Sequence, residues 1–232
     1  MLTNRKNQGR YCYVPGHILL IILLWFSFAT KSEAKTTDSI STYYKNKQFT
    51  TYCQLTVNSQ EQIMNQVIDD FLHQTKYDLD KLFLWALKGL KLRNEKDQII
   101  VFNFISTKYD EKNDVIMARG DVEIPDLIRF PAISVNSRMT KHLLVGNRTK
   151  VNINVLYSDA FLKKTTGIFY LIPVDSRSCI ITLETKVEFG WFFDFFITKS
   201  TFKNIMEWRF HQLMLNLKQE AEKRQKKQLI NN

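Results

Sequence analysis

Cys179-Ile180-Ile181-Thr182-Leu183-Glu184-Thr185-Lys186-Val187-Glu188-Phe189-Gly190 gives way to Trp191-Phe192-Phe193-Asp194-Phe195-Phe196-Ile197, and then to a run that keeps helical spacing as far as Lys226. Ile181, Leu183, Val187 and Phe189 fall on one side of an extended chain, with Thr182, Glu184, Lys186 and Glu188 on the other, which is the period of a half-buried strand. Gly190 breaks that period. Thr198 or Ser200 is a suitable N-cap. Beyond it Phe202, Ile205, Met206, Leu213, Leu217 and Ala221 form a helical stripe that Trp208 and Phe210 widen. A helix of this length spans roughly 40 Å at 1.5 Å per residue. It needs a broad apolar surface to lie on, and a curved sheet ending in strand 179–189 supplies one.

The residues upstream predict the rest of that sheet. Phe49 to Val57 is rich in β-branched and aromatic residues and reads as a strand. Asn58-Ser59 ends it and caps a helix whose apolar residues, Ile63, Met64, Val67, Ile68, Phe71 and Leu72, share one stripe. Leu79, Leu82, Phe83, Ala86, Leu87 and Leu90 form a second stripe, so a helix pair is expected, broken near residues 75–77. After Asn94 the period changes to that of strands. Ile99–Ile105, Val115–Ile124 (stopped by Pro125), Ala132–Val135 (after Pro131), Val151–Tyr157 and Gly167–Ile172 (closed by Pro173) are the expected strands, and Asp175-Ser176-Arg177 is a hairpin turn. Short turns between such runs predict an antiparallel meander.

One strand, a helix pair, about six antiparallel strands and a long last helix make an order that resembles the helix-grip fold of the START-like (SRPBCC) superfamily, which includes polyketide-cyclase-like and lipid-transfer proteins. The resemblance covers roughly Phe49 to Arg224. It is strongest at the Gly190-Trp191-Phe192-Phe193-Asp194-Phe195-Phe196 entry into the helix and at its end, Asn216-Leu217-Lys218-Gln219-Glu220-Ala221-Glu222. It implies an α+β fold in which a curved antiparallel sheet of about seven strands wraps a long C-terminal helix, with the helix pair after the first strand. It also implies an apolar cavity between sheet and helix for a hydrophobic ligand, lipid- or polyketide-like. Phe102, Phe104, Val155, Tyr157, Leu183, Phe202, Met206, Phe210 and Leu213 are the expected lining, with Asp194 and Arg209 as polar groups. A ligand site of this kind calls for at least ~300 Å³. The 17 Phe residues suit a roomy interior and a filled core equally.

Residues 1–34 read as a secretory signal. Arg5, Lys6 and Arg10 precede the apolar run Ile18–Phe26, and the small residues Ser32 and Ala34 set a cleavage site after Ala34. The apolar stretch is shorter than the roughly 20 residues that span a bilayer, although an uncleaved N-terminal anchor is the alternative. The expected organisation is a signal peptide over 1–34, a polar leader over 35–47, the helix-grip domain over 48–226 and a tail over 227–232. The protein is then periplasmic or secreted. Cleavage removes four of the 33 basic and one of the 23 acidic side chains and leaves a net charge of +7. Much of the excess lies at Lys218, Lys223, Arg224, Lys226 and Lys227, cations that suit a helix C-terminus. No nucleic-acid motif accompanies them, so a nucleic-acid partner is not expected, whereas contact with a membrane surface is kept as an expectation.

The three cysteines form no CxxC pair, and no metal site or cofactor is expected. Outside the cytosol Cys53 and Cys179 are either a disulfide or two small buried hydrophobes. The chain has no GxSxG, HExxH, Walker or GxGxxG motif, and no catalytic residue is assigned. His73 lies on the polar flank of its helix and His142 in a loop-like segment. Glu207, Arg209 and His211 on the long helix, with Asp194 before it, are the candidates for a cyclase- or hydrolase-type enzyme, the alternative to a binding protein. A third reading is a solid-core interaction protein at a membrane surface, with Trp191–Phe196 as its apolar patch. Asn147-Arg148-Thr149 matches a glycosylation sequon and is treated as chance.

Overall fold

The chain was analysed as a computed structural model that describes residues 38–89, 101–124, 128–159, 162–190 and 198–231, with the backbone alone at 101–104, 122, 124, 128 and 201. A hairpin comes first, β1 (Ser39–Lys45) and β2 (Gln48–Val57). Two helices follow, α1 (Glu61–Tyr77) and α2 (Leu79–Trp85). The meander then runs through β3 (Val101–Asp110), β4 (Val115–Ile124), β5 (Ile128–Leu144), β6 (Arg148–Ser158), β7 (Leu162–Pro173) and β8 (Cys179–Phe189), and α3 (Lys199–Asn231) comes last. The strands form one sheet in the order β1-β2-β8-β7-β6-β5-β4-β3, antiparallel throughout. The helix pair bridges the sheet, because β2 and β3 stand on opposite sides of it. This is a helix-grip α+β fold.

Three local features depart from expectation. The sheet has eight described strands, and the additional one lies inside the polar stretch 35–47: Ser39–Lys45 pairs with β2, so the helix pair follows the second strand and not the first. Its burial alternates, with Ile40, Thr42 and Tyr44 half-buried and the residues between them exposed. Ala132–Val135 is part of a 17-residue strand that passes through Pro131 and includes His142. Proline is tolerated in a strand at a bulge, and here the pairing of β4 with β5 shifts between Gly120 and Val122. Asp121, released from pairing, accepts the Ala132 N–H at 2.8 Å and pairs with Arg129. Finally, α3 runs to Asn231, so the segment 227–231 continues the helix.

The helix break falls at Asp78, whose carboxylate accepts the Lys81 N–H at 3.1 Å and so caps α2 while ending α1. Further bulges at Phe104/Ser106, Asn136/Ser137 and Leu162/Lys164 bend the sheet. Its concave side holds the core: Leu55, Val57, Leu171 and Ile181 from the strands, Met64 and Val67 from α1, and Phe202, Ile205, Met206 and Met214 from α3. Phe202 stacks on Phe49 with ring centroids 4.0 Å apart and meets the edge of Phe189 at 5.6 Å.

α3 packs on β1, β2 and α1. Its polar groups fix it at several heights. Glu207 accepts the Thr42 N–H, Asn216 donates to the carbonyls of Ala86 and Lys88 at 2.8 Å each, and Glu222 and Gln225 accept the N–H groups of Asn58 and Gln60 at 3.0 Å. Arg224 pairs with Asp70 at 2.6 Å. Cys53 and Cys179 lie on adjacent strands, but Cys53 stands opposite Leu183 and Cys179 opposite Val57. That offset leaves both thiols free, and burial pushes each up to about 12. The disulfide alternative is thereby removed.

Candidate ligand cavity

Where α3 leans away from the middle of the sheet, α1 closes the gap. The α1 stripe buries Ile63, Met64, Val67 and Ile68, and one turn on Phe71 and Leu72 reach over the sheet half-buried. Below them, Met139, Val151, Ile153, Thr165, Gly167, Phe169, Leu183 and Thr185 from β5–β8 make a floor, and Phe210, Leu213, Met214 and Leu217 of α3 make the facing wall. The cavity enclosed is about 60 Å³. Among the described residues its lining contains no ionisable side chain. Phe71, Leu72, Ile153, Thr166 and Leu213 are its half-exposed members and mark where it approaches solvent. The volume falls short of the ~300 Å³ expected of a whole-ligand site.

Gly167 opens the floor. It pairs with Ile153 on one side and Thr185 on the other. A Cβ there would stand 3.3 Å from both Ile153 Cβ and Thr185 Cγ2, so a side chain would crowd both neighbours and fill the space beneath them. Two hydroxyls flank this opening, Thr165 and Thr185, both buried and with no hydrogen-bond partner among the described residues.

The residues expected to line a cavity separate into groups. Leu183, Phe210 and Leu213 line it. Phe202 and Met206 are fully buried in the core beside it, and Val155 packs half-buried against that core. Tyr157 is 53% exposed and donates its hydroxyl to Asp159 at 2.5 Å, so it belongs to the surface. Phe102 and Phe104 are placed by backbone, opposite Val122 and Gly120, and their side chains lie outside the described set. Asp194 and the Trp191–Phe196 patch also lie outside the described residues. Sequence reading missed Thr165, Gly167 and Thr185. The signal was present: Lys164-Thr165-Thr166-Gly167 is the one glycine-bearing stretch in an otherwise bulky strand.

The polar candidates do not gather. Glu207 sits on the flank of α3 that faces β1, where burial above all raises its pKa, opposed by Lys203 and by the hydrogen bond from Thr42. Arg209 is 7% exposed, and its Nε has no partner among the described residues. Burial pulls its guanidinium down to about 9. His211 is half-buried, while His73 and His142 are exposed. None of these lines the cavity. Among the described residues no group of three His, Cys, Asp or Glu side chains is placed to hold a metal. The described lining is apolar apart from its threonines, two of which carry unpartnered hydroxyls.

No protein-family model matches the chain, and no curated protein matches it. Among solved structures it is similar to a START superfamily protein from Mycobacterium smegmatis, at 12% identity over 75% of this chain and 97% of that one, with a TM-score of 0.42. It is similar to the Zhui aromatase/cyclase from Streptomyces sp. R1128 at 12% identity over 76% and 95%, with a TM-score of 0.44. The norcoclaurine synthase of Thalictrum flavum, solved with dopamine and hydroxybenzaldehyde, is similar at 14% identity over 82% and 95%, with a TM-score of 0.37. These similarities concern fold.

Proposed function

We propose that this is an exported helix-grip protein that binds a hydrophobic small molecule between its sheet and its long helix, without catalysis. The observation that carries the reading is the apolar cavity bounded by α1, α3 and β5–β8, with no ionisable group among the described residues of its lining. The cavity is about 60 Å³, so a whole ligand requires the half-exposed Phe71, Leu72 and Leu213 at its rim to move outward. Native mass spectrometry of the mature protein from its own host tests this: a co-purifying apolar mass supports it. Protein that is ligand-free and also fails to bind small aromatic hydrocarbons refutes it.

A second reading, contact with a membrane surface, is favoured by the tip of the β5–β6 hairpin. Leu143 and Val145 are 76% and 96% exposed there, beside Lys141, Arg148 and Lys150. An apolar tip between cations suits an anionic lipid surface. Co-sedimentation with phosphatidylglycerol vesicles, lost in Val145→Glu, is the supporting result, and no binding to such vesicles removes the reading.

A further inference from the structure

We propose that the ligand carries one neutral oxygen, a hydroxyl or a carbonyl, which docks on Thr165 and Thr185 at the floor of the cavity. The proposal rests on the apolar-ligand reading above and specifies its chemistry. Native proteins leave only a few buried polar groups per hundred residues without a hydrogen-bond partner. Here there are three such side-chain atoms among the described residues, and two of them, Thr165 Oγ1 and Thr185 Oγ1, belong to threonines that line the same cavity. Their placement is set by the sheet. Thr185 stands opposite Gly167 on β7, and Thr165, two residues before Gly167, stands opposite Val187, two residues beyond Thr185. The pair is therefore diagonal on one face beside the side-chain-free glycine, and a guest that widens the cavity there meets both.

The chemistry of the pair selects its guest. Each hydroxyl offers one proton and two lone pairs. A guest carbonyl oxygen accepts from both, and a guest hydroxyl accepts from one and donates to the other. A pure hydrocarbon leaves both unpaired and seals them from water. A carboxylate is disfavoured, because no described residue of the lining is a cation and an unpaired charge is far costlier to bury than a neutral oxygen. Valine has the same branched shape as threonine, so the hydroxyls can be removed with the cavity walls kept in place.

The test uses three rings of one size: p-xylene, p-cresol and p-toluate. Their binding to the full mature protein is measured by calorimetry and by the methyl NMR shifts of Ile153, Leu213 and Met214. In Thr165→Val/Thr185→Val, p-cresol is expected to weaken about tenfold relative to p-xylene, the scale of a buried hydrogen-bonded group. Thr185→Val alone moves the same ratio in the same direction, which keeps the test readable if the double variant does not fold. A ratio that stays within about twofold of wild type overturns the proposal, because a resident water or a backbone group then satisfies the hydroxyls. Tighter binding of p-toluate than of p-cresol overturns it as well. If p-xylene binds and the ratio does not move, the apolar-ligand reading survives alone. If none of the three binds the wild type, this proposal falls, and the apolar-ligand reading falls with it when the protein from its own host is also ligand-free.

Discussion

Glu207 on α3 accepts a hydrogen bond from the Thr42 backbone N–H at 2.8 Å, so the long helix holds the outermost strand of the sheet as well as its core. Thr42 lies on β1, whose one strand neighbour among the described residues is β2, and its hydroxyl lies 3.0 Å from that of Thr51. An edge N–H that would otherwise be free to recruit another chain is thereby occupied.

That carboxylate is held at a cost. Burial raises the Glu207 pKa in the folded chain. Between its ordinary and raised values the native state binds more protons than the unfolded one, so this group's contribution to stability falls as pH rises through that window. Glu207→Gln keeps an acceptor for Thr42 and loses the charge. It should melt above wild type at pH 7, with the difference shrinking as pH falls through the carboxylate range. A wild type that is the more stable at pH 7 would show that the charge itself is favourable.

Phe202 and Leu213 lie on one helix, three turns apart, and should respond differently to truncation. Phe202 is fully buried between Phe49 and Phe189, and Phe202→Ala should cost about 3–5 kcal/mol. Leu213 borders existing empty space, and Leu213→Ala should cost less than about 2 kcal/mol while changing the affinity for p-xylene. Urea unfolding measures both. Equal losses would mean that the region around Leu213 is packed solid.

Arg209 carries a buried guanidinium whose Nε lacks a partner among the described residues. Replacing a poorly compensated buried charge by an apolar side chain of similar length commonly stabilises. Arg209→Met is expected to raise the unfolding midpoint, by about 1 kcal/mol or more. A large loss of stability would instead reveal an anionic partner for the guanidinium.

Export makes a prediction of its own. N-terminal sequencing of protein from the native host should begin at Lys35, after the small residues Ser32 and Ala34. A membrane-bound chain that begins at Met1 or Leu2 would identify residues 1–34 as an anchor.

The legible parts of this chain are those where burial imposes a period. Ile181 to Phe189 alternate, α1 and α3 keep their stripes, and each of these elements was readable within a few residues. β1 was hard to see because an edge strand under one helix buries only Ile40, Thr42 and Tyr44, and those only partly. β5 was cut short because Pro131 reads as a stop, whereas Asp121, ten residues earlier in the chain and adjacent only through the sheet, supplies the acceptor that lets the strand continue. Gly167 was legible as the one glycine of its strand, but the pair of hydroxyls beside it was not, for a related reason. Thr165 and Thr185 become neighbours through the register of β7 with β8, and nothing local marks either hydroxyl as unpartnered.

The pairing of β2 with β8 sets Leu55 opposite Ile181, so one edge of an early strand waits for the last strand of the sheet. Contacts between residues so distant in sequence form late and slowly. A growing chain that stops short of Phe189 has no β8 to complete the sheet and no α3 to cover the concave face. Folding therefore stays incomplete through most of synthesis and closes in a final step when α3 arrives. Until then the chain lacks its finished core, and a chain not yet locked into its fold is the kind that can pass through a narrow pore, as the proposed export requires.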